Sequence, residues 1–563
     1  LKILIFATSY NGLTQRIHRE LLLSKHTVSF ELSADEQDML DAYINFEPDL
    51  IICPFLKHRI PQSVWSKIPC LVLHPGIIGD KGPSSLDWAI TNNSNIWGAT
   101  LLQANDVYDA GEVWGTKYFS VDENACKSSV YRHSINHVAV SLIMEAVSNF
   151  KNNRRPLLNF DDFPITGIER PLMKQSERKL DWQNESAATI VRKINAADSF
   201  PGVLDQIENE SFYLFGALKE DKEHQSQPGE IIGCRDEAIC RAAKDGVVWI
   251  KQLKRKTQQN QSENFKLPAT RLLKHQFSKV ESDVLNNIKV EIKGAVAYLH
   301  FNFYNGAFST ENCRELHVAF KNLTRNADIK VITLMGGSDF FSNGIHLNCI
   351  EAADCSAKES WLNINAINDL VECIIRCNNK LTVAALQNNA GAGGAILPLA
   401  CDYVIARNGV VLNPHYKTMG LTGSEYWTYL LPKRVGQTKA KLLTEECLPL
   451  VASEAEAINL VDTVFPENKE DYLNELRQYC RELSNSEDYE SLLISKSQLR
   501  VEEESKTPLQ SYRDKELAEM KKIFDNPDSR YHRLRANFVR KVSCGKTPDR
   551  LIHSQVKNKA SID

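Results

Sequence analysis

Short apolar runs alternate with amphipathic stretches along the first 150 residues. Residues 1–8, 49–53 (DLIIC), 70–73 (CLVL) and 98–103 are compact apolar runs of the kind that forms buried strands. Residues 15–23 and 128–150 space their apolar side chains as helices do. This rhythm predicts an α/β unit over residues 1–160 with a doubly wound, mainly parallel sheet. A connection with Pro156, Pro164 and Pro171 follows. Residues 175–265 then read as a helix (185–197) and short strands cut by Pro228-Gly229 and Asp245-Gly246, which predicts a small β-barrel. The polar run 254–264 (KRKTQQNQSEN) reads as a solvated linker. A second α/β block spans 285–466, with strands expected at 290–303, 329–335 and 381–386. Residues 467–563 read as a helical tail, in which Arg530, Arg533, Arg535, Arg540 and Lys541 form a solvated face or, alternatively, meet phosphates.

Composition narrows the function. A chain of 563 residues holds three or four domains at roughly 100–200 residues each. Lys and Arg number 67 against 71 Asp and Glu, a net charge of −4, which excludes a broadly cationic nucleic-acid binder. Apolar runs fall short of the roughly 18 residues a membrane span needs. The chain opens on Leu1 in a stretch that reads as a buried strand and not a signal peptide, with an initiator Met expected outside this sequence. The 14 cysteines are scattered without a CxxC pair; Cys373 and Cys377, the closest, sit on a helical stretch. Reduced thiols, no metal and a cytoplasmic location are expected. Thr8-Ser9-Tyr10-Asn11-Gly12 is no GxGxxG, which disfavours a nicotinamide cofactor.

The first candidate chemistry lies in LHPGIIGDKGPSSLDWAI, residues 73–90. His74 ends a buried strand, where ligands of open α/β sheets bind. Gly76, Gly79 and Gly82 allow a close backbone approach to a ligand. Asp109-Ala110-Gly111 follows another strand, so a His and an Asp on neighbouring strand ends could handle protons in acyl transfer. A lone strand-end His is more often structural. With the stretch LDW…KINAADSFPG at 180–202, the pattern resembles the folate-dependent formyltransferase family over residues 1–253. The resemblance implies a doubly wound domain joined to a small OB-like barrel, and 10-formyltetrahydrofolate as formyl donor. It places His74 and Asp109 in the family's Asn–His–Asp set, while the Asn expected two residues before the His is Val72. It maps the folate-binding loop onto Gly76, Ile77, Ile78 and Gly79, with Cys53, Pro54, Phe55 and Leu56 walling the pterin pocket.

The second candidate chemistry is a pair of glycine turns after strands, FFSNGIHL at 340–347 and NNAGAGGAILPLACDYVIA at 388–406. Two such turns can aim backbone N–H groups at one point and make an oxyanion hole. These residues resemble the crotonase (enoyl-CoA hydratase/isomerase) superfamily over residues 289–466. The resemblance maps the oxyanion N–H groups onto Ile345 and Gly393. The two hydratase glutamates are absent; their places fall at Ile396 and at or beside His415, which argues against hydration. In the following NPHYKTMGLTGSEYWTYLLP (413–432), Tyr416 and Glu425 are the polar candidates, against a packed aromatic and a solvated charge as plainer readings.

Joined end to end, the two halves, with SYNGLTQR (9–16) and PFLKHRIP (54–61), resemble the HypX (HoxX)-type family of nickel–iron hydrogenase maturation proteins. That resemblance implies formyl transfer from 10-formyltetrahydrofolate to coenzyme A, then decarbonylation of formyl-CoA to carbon monoxide for the hydrogenase. Arg132 and Arg540 are the candidates for the CoA phosphates. The alternatives are an acyl-CoA hydrolase or isomerase, a formyl-folate hydrolase with one inactive half, or a non-catalytic assembly scaffold.

Overall fold

The computed structural model describes residues 1–32, 35–155, 163, 166–257, 265–273, 276–542 and 545–554. Pro156, Pro164 and most of the 254–264 linker lie outside the described residues. The chain forms two compact units, residues 1–285 with 543–563 and residues 286–542.

In the first unit, six strands make one sheet: β1 (Lys2–Ala7), β2 (Thr27–Glu31), β3 (Leu50–Phe55), β4 (Cys70–His74), β5 (Ile96–Gln103) and β6 (Val113–Ser120). Their order is β2-β1-β3-β4-β5-β6. The first four are parallel, and β1, β3 and β4, buried inside the sheet, read as unbroken apolar runs, whereas the edge strand β2 carries Thr27, Ser29 and Glu31. Strand order reverses beside β1, so a crevice opens at the carboxyl ends of β1 and β3, the usual ligand position of such sheets. β5 and β6 run antiparallel. Asp109 therefore reaches the site from the β5–β6 connection, after the strand that precedes it in the chain.

The helix expected over 128–150 is interrupted. Lys127–Val130 is followed by a π-helical turn, Tyr131–Ile135, before Asn136–Lys151 resumes. Val130 and Ile135 are both buried, and the wider turn keeps residues five apart on one face. Helix Ala187–Ala196 then packs on an antiparallel sheet of Val203–Ile207, Glu210–Glu220, Gly246–Arg255, Ala238–Ala243 and Ile231–Arg235, in that spatial order. Residues 545–554 belong to this first unit; Thr547 Oγ1 accepts from Leu32 N–H at 2.7 Å and donates to Glu31.

The second unit is built on a sheet of Ile288–Lys293, Val296–Phe301, Val331–Gly336, Leu381–Leu386, Tyr403–Arg407 and Thr463–Phe465, neighbours in that order. Its first pair is antiparallel and the rest parallel. Helices Thr310–Arg325 and Ser356–Ile375 cover one face. Helix Lys469–Asn485 covers the other through Tyr472, Leu476 and Cys480. Leu509, Leu517, Met520 and Phe524 of helix Leu509–Asp525 and Tyr531 of helix Arg530–Arg540 enter the main core. No helix among the described residues is long and apolar enough to cross a membrane.

Candidate functional site

At the first site His74 is 4% exposed and held at both ring nitrogens. Nδ1 lies 3.4 Å from Asp109 Oδ1, and Nε2 lies 2.8 Å from Asp80 Oδ2. Burial alone would lower its pKa; the Asp109 and Asp80 carboxylates outweigh it and raise the pKa to about 9. Asp109 is held below the ordinary carboxylate range, because the imidazolium and the Gly82 N–H outweigh its burial. His74 is thus an imidazolium at neutral pH, fitted to donate a proton more than to accept one. Asp80 is pinned by Arg170 at 3.2 Å. A Cβ at Gly76 would fall 2.4 Å from both His74 Nε2 and Asp80 Oδ2, so the pair exists only because that residue is glycine.

Asp80 was missed on sequence, although it stands six residues after His74 within the same motif. Val72 is half-buried and packs against the Leu4–Phe6 core, so it supplies no donor there. Around the pocket, Cys53 and Pro54 are buried in β3, whereas Phe55 and Leu56 reach partial exposure. Ile77 and Ile78 are buried beneath the loop that Gly76 and Gly79 shape. Arg132 sits half-buried in the π turn, next to Tyr131, whose ring meets Phe55 at 5.5 Å.

At the second site the two glycine turns meet. A Cβ at Gly344 would lie 3.3 Å from Gly393 N. Ser342 pairs with Ala390, and Gly391 N–H donates to Ser342 O at 2.9 Å. Asn363 fastens the first turn, accepting from His346 N–H at 3.1 Å and donating to Phe308 O at 2.9 Å. Among the described residues the Ile345 and Gly393 N–H groups donate to no other group, which leaves two donors at one place.

Glu425 is not the solvated charge of the plainer reading. It is 3% exposed, and its carboxyl lies against Gly393: a Cβ there would fall 2.1 Å from Oε1. Burial first, then the charge of Glu516, raise its pKa to about 8, so it is largely protonated at neutral pH. Tyr416 is also 3% exposed, packed against Gly423 and Trp427. Burial pushes its hydroxyl pKa upward. The Tyr416 hydroxyl faces Thr444, while Asn413 Oδ1 and Thr422 Oγ1 are buried without hydrogen-bond partners among the described residues. Ile396 is fully buried, and His415 Nε2 faces Gly391.

The basic run 530–541 is only partly the solvated face expected. Arg535 is buried and pairs with Glu351 at 2.7 Å, and Arg540 shares the same carboxylate. Arg530 and Arg533 are exposed.

A doubly wound sheet carrying a His between two carboxylates, followed by two converging glycine turns, defines a formyltransferase-type unit joined to a crotonase-type unit. Family models agree: Formyl transferase matches residues 14–147, Formyl transferase, C-terminal domain 172–266, and Enoyl-CoA hydratase/isomerase 291–543. The second half is also 26% identical to 4-chlorobenzoyl coenzyme A dehalogenase-2 from an Arthrobacter species, over 41% of this chain and 83% of that one. Hydrogenase maturation factor HoxX from Bradyrhizobium diazoefficiens is 40% identical over 556 residues, 97% of this chain and 96% of its own length. The crystal structure of HypX from Aquifex aeolicus in complex with tetrahydrofolic acid superposes with a TM-score of 0.92 at 40% identity, covering 98% of each chain. The chain belongs to the HoxX/HypX family of hydrogenase maturation factors.

Proposed function

We propose that the chain makes carbon monoxide in two steps, formyl transfer from 10-formyltetrahydrofolate to coenzyme A and decarbonylation of the formyl-CoA. The tetrahydrofolate bound to the Aquifex relative supports the donor, and the likeness to acyl-CoA enzymes supports the acceptor. In the first step the CoA thiol sulfur attacks the formyl carbon and tetrahydrofolate leaves through N10, which takes up the thiol proton. A thiolate is intrinsically nucleophilic and needs little base assistance. The His74 imidazolium, oriented by Asp109, stabilises the oxyanion, or passes its own proton to N10 and takes the thiol proton in its place, and so serves where Val72 cannot. Phe55, Leu56 and the Gly76–Gly79 loop hold the pterin.

In the second step the Ile345 and Gly393 N–H groups hold the formyl oxygen. The neutral Glu425 carboxyl takes the formyl proton on one oxygen while the other donates a proton to sulfur. The C–H and C–S bonds break, and carbon monoxide and CoA leave. Tyr416 orients or relays that proton. Arg132 and Arg540 take the CoA phosphates, and the hydrogenase maturation machinery receives the product.

One observation carries this reading: a buried, neutral carboxyl stands against the oxyanion turn while Ile396 fills a hydratase glutamate's place. One acid can shuttle a proton, but hydration requires carboxylates that position water. The test incubates the full chain with 10-formyltetrahydrofolate and CoA and traps carbon monoxide with a reduced haem protein. Glu425→Gln and Tyr416→Phe should each cut release while tetrahydrofolate production continues. Formate without carbon monoxide would instead identify a hydrolase.

A further inference from the structure

Glu425 and Tyr426 are consecutive residues with left-handed backbone, φ +60° and +59°. Neither is glycine, so both conformations persist only because their surroundings over-determine them. Two anchors do so. Asn368 Oδ1 accepts from Glu425 N–H at 2.9 Å, and Asn368 also bonds Ser424 Oγ. Glu516 lies 90 residues beyond Tyr426, on helix Leu509–Asp525. It accepts from Tyr426 N–H at 2.9 Å, Thr428 N–H at 2.8 Å and Thr428 Oγ1 at 2.5 Å. Those are the first turns of helix Trp427–Val435 and the residue just before it. Glu516 is itself 4% exposed, a buried carboxylate whose hydrogen bonds all go to this one turn.

We propose that Glu516 is the positioning residue of the second site, clamping the Glu425–Tyr426 turn so that the Glu425 carboxyl stays against Gly393. The proposal rests on the decarbonylation reading only for its activity readout. It also gives the carboxy-terminal helices a task in the site. Helix Leu509–Asp525 supplies the carboxylate that this turn's N–H groups meet.

The test uses the full chain with Glu516→Ala and Glu516→Gln. The first removes every acceptor; the second keeps one oxygen and the side-chain shape. Hydrogen exchange of the peptide spanning Tyr426 and Thr428 should quicken at least tenfold in Glu516→Ala and less in Glu516→Gln. The Glu425 carboxyl band, isolated as an infrared difference against Glu425→Gln, should titrate at lower pH in Glu516→Gln, because the negative charge that Glu516, itself raised by burial to about 7, carries at the pH where Glu425 titrates is gone. Tyr416 and Cys313 also face Glu425, and burial keeps both neutral. Carbon monoxide turnover should fall about 10²-fold in Glu516→Ala with the KM for CoA within twofold, the cost of misplacing a reacting group by about an ångström. If Glu516→Ala fails to fold, Glu516→Gln decides through exchange and titration. Unchanged exchange and titration in the folded variants, or full turnover with the turn unprotected, would overturn the proposal. The exchange and infrared arms decide it even if the parent releases no carbon monoxide, in which case the decarbonylation reading alone fails.

Discussion

Replacing Gly393 by Ala tests the geometry of the second site most directly. The added Cβ would fall 2.1 Å from Glu425 Oε1, 2.5 Å from Cδ and 2.8 Å from Oε2. Ordinary contact begins near 3.4 Å, so the carboxyl must retreat by more than an ångström. It has little room to do so, because its own N–H is tied to Asn368 and the next residue to Glu516. A displacement of that size at a reacting group costs on the order of 10²-fold in rate, or about 2.7 kcal/mol of barrier. Overpacking adds about 1–3 kcal/mol to the folded state, which circular dichroism would register as an earlier melt. The assay follows carbon monoxide by its haem adduct and tetrahydrofolate by chromatography in the same reaction. Release should drop about 10²-fold while tetrahydrofolate forms at the parent rate and formyl-CoA accumulates. Carbon monoxide release within twofold of the parent would refute the placement of Glu425. An equal fall in both products would show that the two sites are not separable as proposed.

Other expectations follow from the same geometry. Asp80→Asn removes one of the two carboxylates that raise the His74 pKa to about 9, so the alkaline limb of formyl transfer should move toward lower pH. The stabilisation from a raised His pKa is complete below the ordinary value of 6.5 and lost as pH rises through about 9. Urea denaturation should therefore show Asp80→Asn weakened more at pH 6 than at pH 9.5; an unchanged limb and a constant difference would contradict the pairing. Gly76→Ala, whose Cβ would meet His74 and Asp80 at 2.4 Å, should abolish formyl transfer yet leave decarbonylation of supplied formyl-CoA intact. Glu351→Ala strands the buried Arg535 guanidinium, which should cost about 3–5 kcal/mol. A melting temperature within a degree of the parent's would show that the pair contributes little.

Much of the architecture could be read along the chain because parallel strands buried on both faces leave continuous apolar runs. Residues 381–386, expected as a strand, are the strand Leu381–Leu386. The helix over 128–150 looked unbroken because periodicity averages across a single turn; the five-residue step from Val130 to Ile135 was its one trace. Glycine-rich turns announced both sites, since glycine is required where a Cβ would strike a neighbouring group, as at Gly76 and Gly393. Partnerships were far less legible. Asp80 stands inside a motif singled out on sequence, but only the loop's curvature turns it onto Nε2. Glu516 has no local signal, because its partners lie 88 and 90 residues away. Arg535 read as part of a charged surface for the same reason: sequence shows the cation but not Glu351, 184 residues distant.

The departures from the family patterns share a logic that yields a last prediction. Each site puts an apolar residue where a polar one is expected, Val72 at the first and Ile396 at the second. Each also has a buried carboxyl, Asp80 and Glu425. Among the described residues Asn413 Oδ1 and Thr422 Oγ1 are left unpaired, each at a cost of about 1–3 kcal/mol. In the proposed decarbonylation Glu425 must be neutral to pass a proton from formyl carbon to sulfur, and its pKa near 8 fits that requirement at physiological pH. Carbon monoxide release should therefore hold steady below pH 7 and fall as pH rises through about 8, because ionisation removes the proton that sulfur needs. Release that instead climbs with pH through that window would mean that Glu425 works as an ionised base, and the concerted shuttle would have to be abandoned.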